Sequence, residues 1–240
     1  MIMFDALRKF NLLDNVDSVD GRGRGAVNRS YIVHAHKHQY LLQLANFQTF
    51  KNINKVIENI DIIDKYLKKN SSDYRIDYVK TDEGTKYVIT RDSYWRCYRL
   101  KNYEKIYKKV CNDEMTYEIG KLIGNFHKIT SNFSAKDLNI TIPNYHNTFR
   151  YYEKLETSTD KCKSDRSLYT WNENKFTRDR INDIKLIQEL LKEKKVPLVV
   201  THNNLRISNV VFNTRDNHAS WLAGYEAIMP GSRLHDFGDA

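Results

Sequence analysis

Three polar side chains in one short loop have the spacing of residues that carry out chemistry. The stretch THNNLRISNVVFN, residues 201–213, contains His202, then Asn204 two residues later and Asn209 five residues after that. In loops that transfer a phosphoryl group, an Asp at the position of Asn204 orients or deprotonates the acceptor hydroxyl, and the later Asn holds magnesium. The stretch therefore indicates either a phosphoryl-transfer loop that lacks its base or an asparagine-rich turn between two strands.

The first half of the chain predicts a small sheet with one helix. The glycine-punctuated stretch 21–33 predicts a strand, a turn and a second strand, and residues 39–47 predict a third strand. Apolar residues at helical spacing predict a helix over residues 54–69. This sheet and helix must position the loop of residues 201–213, which belongs to the second half of the chain.

The remaining stretches predict a hairpin, one more strand and two long helices. Residues 75–81 and 86–91, separated by Asp-Glu-Gly, predict the hairpin, and residues 94–100 predict the strand. Apolar residues on one helical face predict helices over 114–133 and 180–195. The pattern as a whole predicts an α+β protein, with a sheet-rich first lobe, a helical second lobe and a cleft between them.

Composition and charge limit the classes of partner. Of 240 residues, 40% are hydrophobic and 12% are aromatic, so we expect a folded core and not disorder. The formal net charge is +9, but the 39 basic side chains are interspersed with 30 acidic ones and do not form one stripe. We therefore expect neither nucleic acid nor a membrane as a partner, and a basic nucleic-acid-binding module stays open as an alternative.

Cysteine and histidine spacing predict no metal centre. The three cysteines are far apart, and no Cys-X-X-Cys spacing occurs. His34, His36 and His38 alternate, but no carboxylate or cysteine accompanies them at ligand spacing, so exposed histidines are the simpler interpretation. The N-terminus has no long apolar run, which predicts neither a signal peptide nor a membrane span and favours a cytoplasmic protein.

Five segments together resemble the aminoglycoside-phosphotransferase-like kinases, and among them the branch that contains N-acetylhexosamine 1-kinase. The segments occur in the family's order between Gly21 and Ala240; they are YWRCYRL, YEIGKLIGNFHKIT, TIPNYHNT, VVTHNNLRISNVVFN and EAIMPGSRLHDFGDA. The resemblance implies a protein-kinase-like bilobal fold, with an N-terminal antiparallel sheet and one helix in residues 1–100 and a mostly helical lobe in residues 101–240. It also implies ATP and Mg²⁺ as cofactors and a sugar hydroxyl, such as that of an N-acetylhexosamine, as the acceptor. Because relatives continue with further helices, we expect the second lobe to be incomplete and the chain to be C-terminally truncated.

Carried over residue by residue, the resemblance predicts a damaged catalytic site. The catalytic Asp falls on Asn204, whose amide is not a base, and the metal-binding Asn falls on Asn209. The metal-binding Asp falls on Gly224, which has no side chain, and Glu226 stands at the second acidic position of that motif. Loss of a positioned base costs roughly 10²–10⁴ in rate. Asp236, in DFG, lies too far along the chain to be the metal-binding Asp and matches a structural stretch of the family.

The resemblance predicts that the nucleotide side has changed as well. Gly23, Gly25 and Asn28 match the family's glycine-rich loop, whose backbone amides approach phosphates, although an ordinary hairpin turn is the alternative. The strand position that should carry a cation falls on Leu44, and Glu58 matches the helix Glu that would pair with that cation. A solvated helix Glu is the alternative for Glu58.

Two hypotheses of function follow from this comparison. The leading one is a degenerate homologue of ATP-dependent sugar kinases that has lost most or all phosphotransfer and keeps weak sugar or nucleotide binding. It is favoured because Asn204, Gly224 and Leu44 are changed together. The alternative is an active N-acetylhexosamine 1-kinase-like enzyme in which Glu226 or Asp236 holds magnesium.

Overall fold

Two compact units make up the protein. The computed structural model describes residues 2–24, 27–46, 48–71, 74, 76–90, 93–162 and 166–240. One unit consists of Met1–Ile142 with Val199–Ala240, and the other of Pro143–Leu198. The predicted lobe boundary between residues 100 and 101 falls within the first unit and stays a prediction.

A five-stranded antiparallel sheet organises the first unit, in the order β1-β2-β3-β5-β4. Its strands are β1 (Val16–Arg24), β2 (Asn28–Ala35), β3 (His38–Asn46), β4 (Val88–Thr90) and β5 (Ser93–Leu100). A tight turn joins β2 to β3, and in it His36 and Lys37 have φ angles of 51° and 63°. The three alternating histidines therefore do not lie on one strand.

The two faces of this sheet carry different side chains. On one face, Leu44 packs with α1 (Ile2–Lys9) in a hydrophobic cluster. On the other face, the strand register places Ser30, Gln43 and Arg96 side by side across β2, β3 and β5, and all three are buried. Because successive side chains of a strand point to opposite faces, a shift of one residue along β3 exchanges Leu44 for Gln43.

The hairpin predicted from residues 75–81 and 86–91 is wrong, because both segments pair with β5. The Val79 N–H donates to the Cys97 carbonyl at 2.9 Å, and β4 pairs with the other half of β5. The free edge of β5 satisfies the backbone groups of both segments. Local alternation of apolar residues does not reveal which strand a segment pairs with.

The long helices predicted from periodicity are confirmed as α2 (Ile53–Asn70), α3 (Asp113–Ile129) and α7 (Ile181–Lys192). Asn52 and Asn112 cap α2 and α3, because each side chain accepts a hydrogen bond from a first-turn N–H. Besides α1 and short 3-10 turns, the other helices in the described residues are α4 (Thr148–Asp160), α5 (Arg166–Tyr169), α6 (Trp171–Asp179) and α8 (Arg233–Asp239).

The second unit is helical and consists of α4 to α7 with their connections. Arg178 joins α6 to α4, with its Nε 3.0 and 3.1 Å from the two carboxylate oxygens of Glu156. In the TIPNYHNT segment, the Asn147 side chain accepts a hydrogen bond from the Arg150 N–H at 3.0 Å and caps α4. This asparagine therefore has a structural role.

Short strands hold the loop of interest within the first unit. These are β6 (Glu104–Ile106), β7 (Val199–Thr201), β8 (Val210–Asn213), β9 (Ala219–Leu222) and β10 (Met229–Gly231). The loop runs from β7 to β8, and the segment with Gly224 and Glu226 runs from β9 to β10. Strand β8 pairs with β6 and β9, whereas β7 pairs with β10. In the described ranges, no helix has both the length and the apolar character that a membrane span requires.

Candidate active site

Asp236 anchors the backbone of the loop. Its two carboxylate oxygens accept hydrogen bonds from the His202 N–H at 2.8 Å and the Asn203 N–H at 2.7 Å. Its Oδ2 also lies 3.0 Å from His127 Nε2. Burial by itself would raise the pKa of Asp236, but these hydrogen bonds and the two histidines lower it below its ordinary value. Asp236 is therefore an ionised anchor of the loop, with its oxygens already in use.

His202 joins the loop to the segment that precedes Gly224. Its Nε2 lies 3.1 Å from the Ala223 carbonyl, to which it donates, and its ring packs edge-on against Phe126 and Tyr225. Burial lowers the pKa of His202 to about 4, so the imidazole is neutral near pH 7. A neutral, fully buried ring between two aromatic rings positions backbone and has no access to a substrate.

Asn204, at the predicted base position, is nearly sealed from solvent, with 3% of its surface exposed. Its carbonyl accepts a hydrogen bond from Asn209 Nδ2 at 2.8 Å. Its own Nδ2 is buried and has no hydrogen-bond partner among the described residues. Because a carboxamide has no basic lone pair at physiological pH, this position can orient a hydroxyl but cannot accept its proton.

The side chain of Asn209 fills the space next to Gly224. Asn209 Oδ1 accepts a hydrogen bond from Gln43 Nε2 at 2.9 Å, and its Nδ2 donates to the Asn204 carbonyl. Gly224 has a φ of 83°, and a Cβ added to it would lie 2.7 Å from Asn209 Nδ2. Non-bonded carbon and nitrogen atoms do not approach so closely. Asn209 therefore occupies the space in which the Cβ atom of an Asp at position 224 would lie.

Glu226 is held by side chains of the sheet. Its Oε1 lies 2.5 Å from Arg96 Nη2 and 3.2 Å from Arg96 Nε, and its Oε2 accepts from Asn28 Nδ2 at 3.3 Å. The Arg96 and Glu226 side chains are 1% and 0% exposed. A buried ion pair needs this close geometry to offset the desolvation of both charges.

Other residues predicted for the nucleotide side do not join this cluster. Leu44 lies on the opposite face of the sheet, in the hydrophobic cluster with α1. Glu58 is exposed on α2, and Gly23 lies within β1, paired with β2. Gly25 lies outside the described residues. Asn28, in contrast, is brought into contact with Glu226.

Three buried polar residues make contacts in or near the site that the sequence does not predict. Gln43 and Arg96 face the loop from the sheet, and Asn59 on α2 donates from its Nδ2 to the carbonyls of Asn139 at 2.8 Å and Ile228 at 2.9 Å. A polar residue in an otherwise apolar strand or helix face is the signal that could have identified all three, because buried polar groups need specific partners.

The side chains present at this position do not fit Mg²⁺. The ion takes oxygen ligands in near-octahedral geometry and is bound by one or two carboxylates together with phosphates and water. Here the Asn209 oxygen is bonded to Gln43, Gly224 supplies no side-chain oxygen, and both Glu226 oxygens are bonded to Arg96 or Asn28. In the described parts of the chain, no three His, Cys, Asp or Glu side chains are grouped so as to hold a metal ion.

Open space in the first unit includes a groove of about 570 Å³ between α3 and the β8–β9 hairpin. Its lining includes the side chains of Glu104, Glu118, Lys121 and Trp221 and none of the residues that surround Asn209. The cluster around Asn209 is in contrast almost free of solvent contact, since Gln43 and Asn209 are both 0% exposed.

Comparison with solved structures shows a small-molecule kinase fold. The chain is similar to a microcompartment-associated aminopropanol kinase, with a TM-score of 0.65 and 13% identity over 100% of this chain and 73% of that one. It is also similar to a spectinomycin phosphotransferase solved with ADP and spectinomycin, with a TM-score of 0.56 and 14% identity over 92% and 67% of the two chains. A Plasmodium vivax ethanolamine kinase gives a TM-score of 0.53 and 18% identity, covering 93% of this chain and 59% of that one.

These comparisons confirm the predicted fold class. The chain has the α+β, protein-kinase-like fold of the aminoglycoside-phosphotransferase-like kinases. No protein-family profile matches the sequence. At these levels of identity the likeness concerns the fold, and function has to be argued from the site itself.

Proposed function

We propose that this chain is a degenerate member of the small-molecule kinases, with little or no phosphotransfer activity. The observation that carries the proposal is the packing of Asn209 against Gly224. The Asn209 amide is bonded on both sides, to Gln43 and to the Asn204 carbonyl, and it fills the space of the missing carboxylate. A site of this kind supplies neither of the oxygens that phosphoryl transfer needs for its metal ion.

The buried amide at the base position supports the same proposal. Asn204 cannot accept a proton from an acceptor hydroxyl, and the nearby acidic residues Glu226 and Asp236 are bonded to Arg96 and to the loop backbone. The alternative hypothesis, in which Glu226 or Asp236 holds magnesium, would require breaking those bonds first.

The substrate class is proposed from the sequence resemblance. We propose that any remaining binding is weak and directed to a sugar such as an N-acetylhexosamine, with ATP as the nucleotide. Support for this comes from the MPGSRLHDFGDA and IPNYHNT segments. The solved structures of similar fold are named as kinases of amino alcohols and of spectinomycin, so these acceptor classes belong in the same test.

Turnover of ATP with magnesium tests the proposal. Wild type would be assayed for ADP formation with N-acetylhexosamines, hexoses and amino alcohols, beside an ethanolamine kinase as the active control. Because kinases turn over at about 1–100 s⁻¹ and loss of the base alone costs roughly 10²–10⁴, we expect a rate below about 1 s⁻¹ that does not depend on any acceptor.

An acceptor-dependent rate in the range of the control enzyme would refute the proposed loss of activity. Asn204→Asp provides a matched variant, since it restores a carboxylate with almost no change of shape. We expect Asn204→Asp alone to remain inactive, because the space beside Gly224 is still filled by Asn209. Activity in this single variant would show that the metal position is intact and that only the base was lost.

A further inference from the structure

Three buried contacts connect the five-stranded sheet to the loop segments. Arg96 on β5 and Asn28 on β2 bind Glu226, and Gln43 on β3 binds Asn209. We call these five residues the clasp. Every donor belongs to the sheet, and every acceptor belongs to the segments that follow β7 and β9. The clasp therefore holds two parts of the first unit that are far apart in sequence.

Direct contacts between side chains close the sheet onto the loop. Its residues are between 0% and 4% exposed, so solvent does not enter between the sheet and the loop. The Arg96 guanidinium supplies the positive charge that faces Glu226, and the Gln43 amide supplies the donor that faces Asn209. The Glu226 carboxylate and the Asn209 side-chain oxygen thus accept hydrogen bonds from the protein itself.

Two polar atoms of the clasp lack a protein partner, as do several other buried polar atoms in the described residues. Gln43 Oε1 and Arg96 Nη1 are buried and have no hydrogen-bond partner among the described residues. A buried polar network that leaves such atoms unpaired is less stable than an apolar core of the same volume. The closed arrangement therefore competes with an open one in which these atoms reach water.

We propose that the clasp is a built-in closure, which must open before a nucleotide can reach the loop. A ligand that binds only the open form has an apparent affinity reduced by the fraction of molecules that are open. Weakening the clasp should therefore strengthen nucleotide binding, although it removes a contact. This inference rests on the proposed binding of a nucleotide at the loop, but it does not depend on whether the site catalyses phosphotransfer.

Glu226→Gln in the full chain tests the proposal, because it removes the negative charge that pairs with Arg96 and nearly keeps the shape of the side chain. The matched control is Glu153→Gln, a carboxylate that is exposed on α4. Two readouts apply: hydrogen–deuterium exchange of peptides covering 28–45 and 204–213, with α3 as the internal reference, and titration with a fluorescent ATP analogue with and without magnesium.

We expect Glu226→Gln to exchange roughly ten times faster than wild type in the two peptides, with α3 unchanged, and to bind the analogue roughly five times more tightly. Glu153→Gln should match wild type in both readouts. If Glu226→Gln does not fold, Arg96→Lys replaces it, since a lysine keeps the charge but loses the paired N–H groups.

Two results would overturn the closure. One is faster exchange that is uniform across α3 and both peptides, which would mean a general loss of stability. The other is wild-type binding of the analogue as tight as that of the variant, which would mean that the loop is already accessible. Turnover plays no part in these readouts, so failure of the closure and failure of the proposed loss of activity give different results.

Discussion

A methyl group at position 224 would collide with Asn209, and the collision has a measurable cost in stability. Gly224 has a φ of 83°, a conformation that costs other residues about 1–2 kcal/mol. The added Cβ would also lie 2.7 to 2.9 Å from three atoms of the Asn209 side chain. Overpacking of this kind costs roughly 1–3 kcal/mol. We therefore expect Gly224→Ala to lower the free energy of unfolding by about 2–5 kcal/mol, the sum of these two costs.

Other glycines of the chain provide controls that separate the two costs. Gly84 has a φ of 77°, but no described atom lies within 4 Å of its added Cβ, so Gly84→Ala should cost the backbone strain alone, about 1–2 kcal/mol. Gly120, in the interior of α3, has neither strain nor crowding, so Gly120→Ala should raise stability by about 0.5–1 kcal/mol. Urea unfolding followed by circular dichroism measures all three variants.

The difference between Gly224→Ala and Gly84→Ala is the contribution of Asn209. If the two variants lose the same free energy, Asn209 does not fill the space at 224 and does not exclude a metal-binding side chain there. A second check uses the shorter side chain of Asn209→Ser. In that background the cost of Gly224→Ala should fall towards the value for Gly84→Ala, and an unchanged cost would refute the contact.

Two further predictions concern buried polar groups. Burial lowers the pKa of His202 to about 4, from about 6.5 in the unfolded chain. The contribution of the neutral imidazole to the free energy of unfolding is therefore complete above pH 6.5 and is lost as the pH falls towards 4. This difference is worth roughly 3 kcal/mol, and the loss of stability between pH 7 and pH 5 in urea unfolding should be smaller in His202→Gln; an unchanged loss would contradict the assignment. Asn59→Ala should lower the free energy of unfolding by roughly 2–4 kcal/mol, because the buried Ile228 carbonyl and the partly buried Asn139 carbonyl lose their donor. Glu58→Ala, on the exposed side of α2, removes only an exposed hydrogen bond from Asn139 Nδ2 and should change the free energy of unfolding by less than about 1 kcal/mol. Equal losses in these neighbouring variants would place the wrong face of α2 against the core.

Periodicity was sufficient to predict the long elements of the fold. The helices over 53–70 and 113–129 and the strands β2, β3 and β5 lie close to the segments expected from their apolar spacing. These patterns are local, since a helix or strand needs one continuous apolar face. The prediction of a hairpin around residues 81–85 is wrong because it also uses only local patterns. Both segments pair with β5, and that pairing depends on residues distant in sequence.

Strand β3 shows that resemblance to a family can identify a strand without identifying which of its side chains faces the site. The family pattern predicts the cation position at Leu44, and the structure places Leu44 on one face of the sheet and Gln43 on the other, against Asn209. Side chains one residue apart on a strand lie on opposite faces of the sheet, so only the register of β3 with β2 and β5 shows which side chain faces the loop. A polar residue in an apolar strand marks Arg96 as unusual, but its partner Glu226 is 130 residues away and is shown only by the structure.

The sequence by itself determined the order of sheet and helices, the loop with Asn204 and Asn209, and the glycine at 224, because these depend on residue type and on local spacing. Only the tertiary structure decided that Asn209 fills the space at Gly224, that Arg96 neutralises Glu226 and that Asp236 anchors the loop. Each of these contacts joins atoms from segments that meet in space after folding. The free energy of burying a charge or a polar group depends on its partners, and these partners are distant from it in sequence.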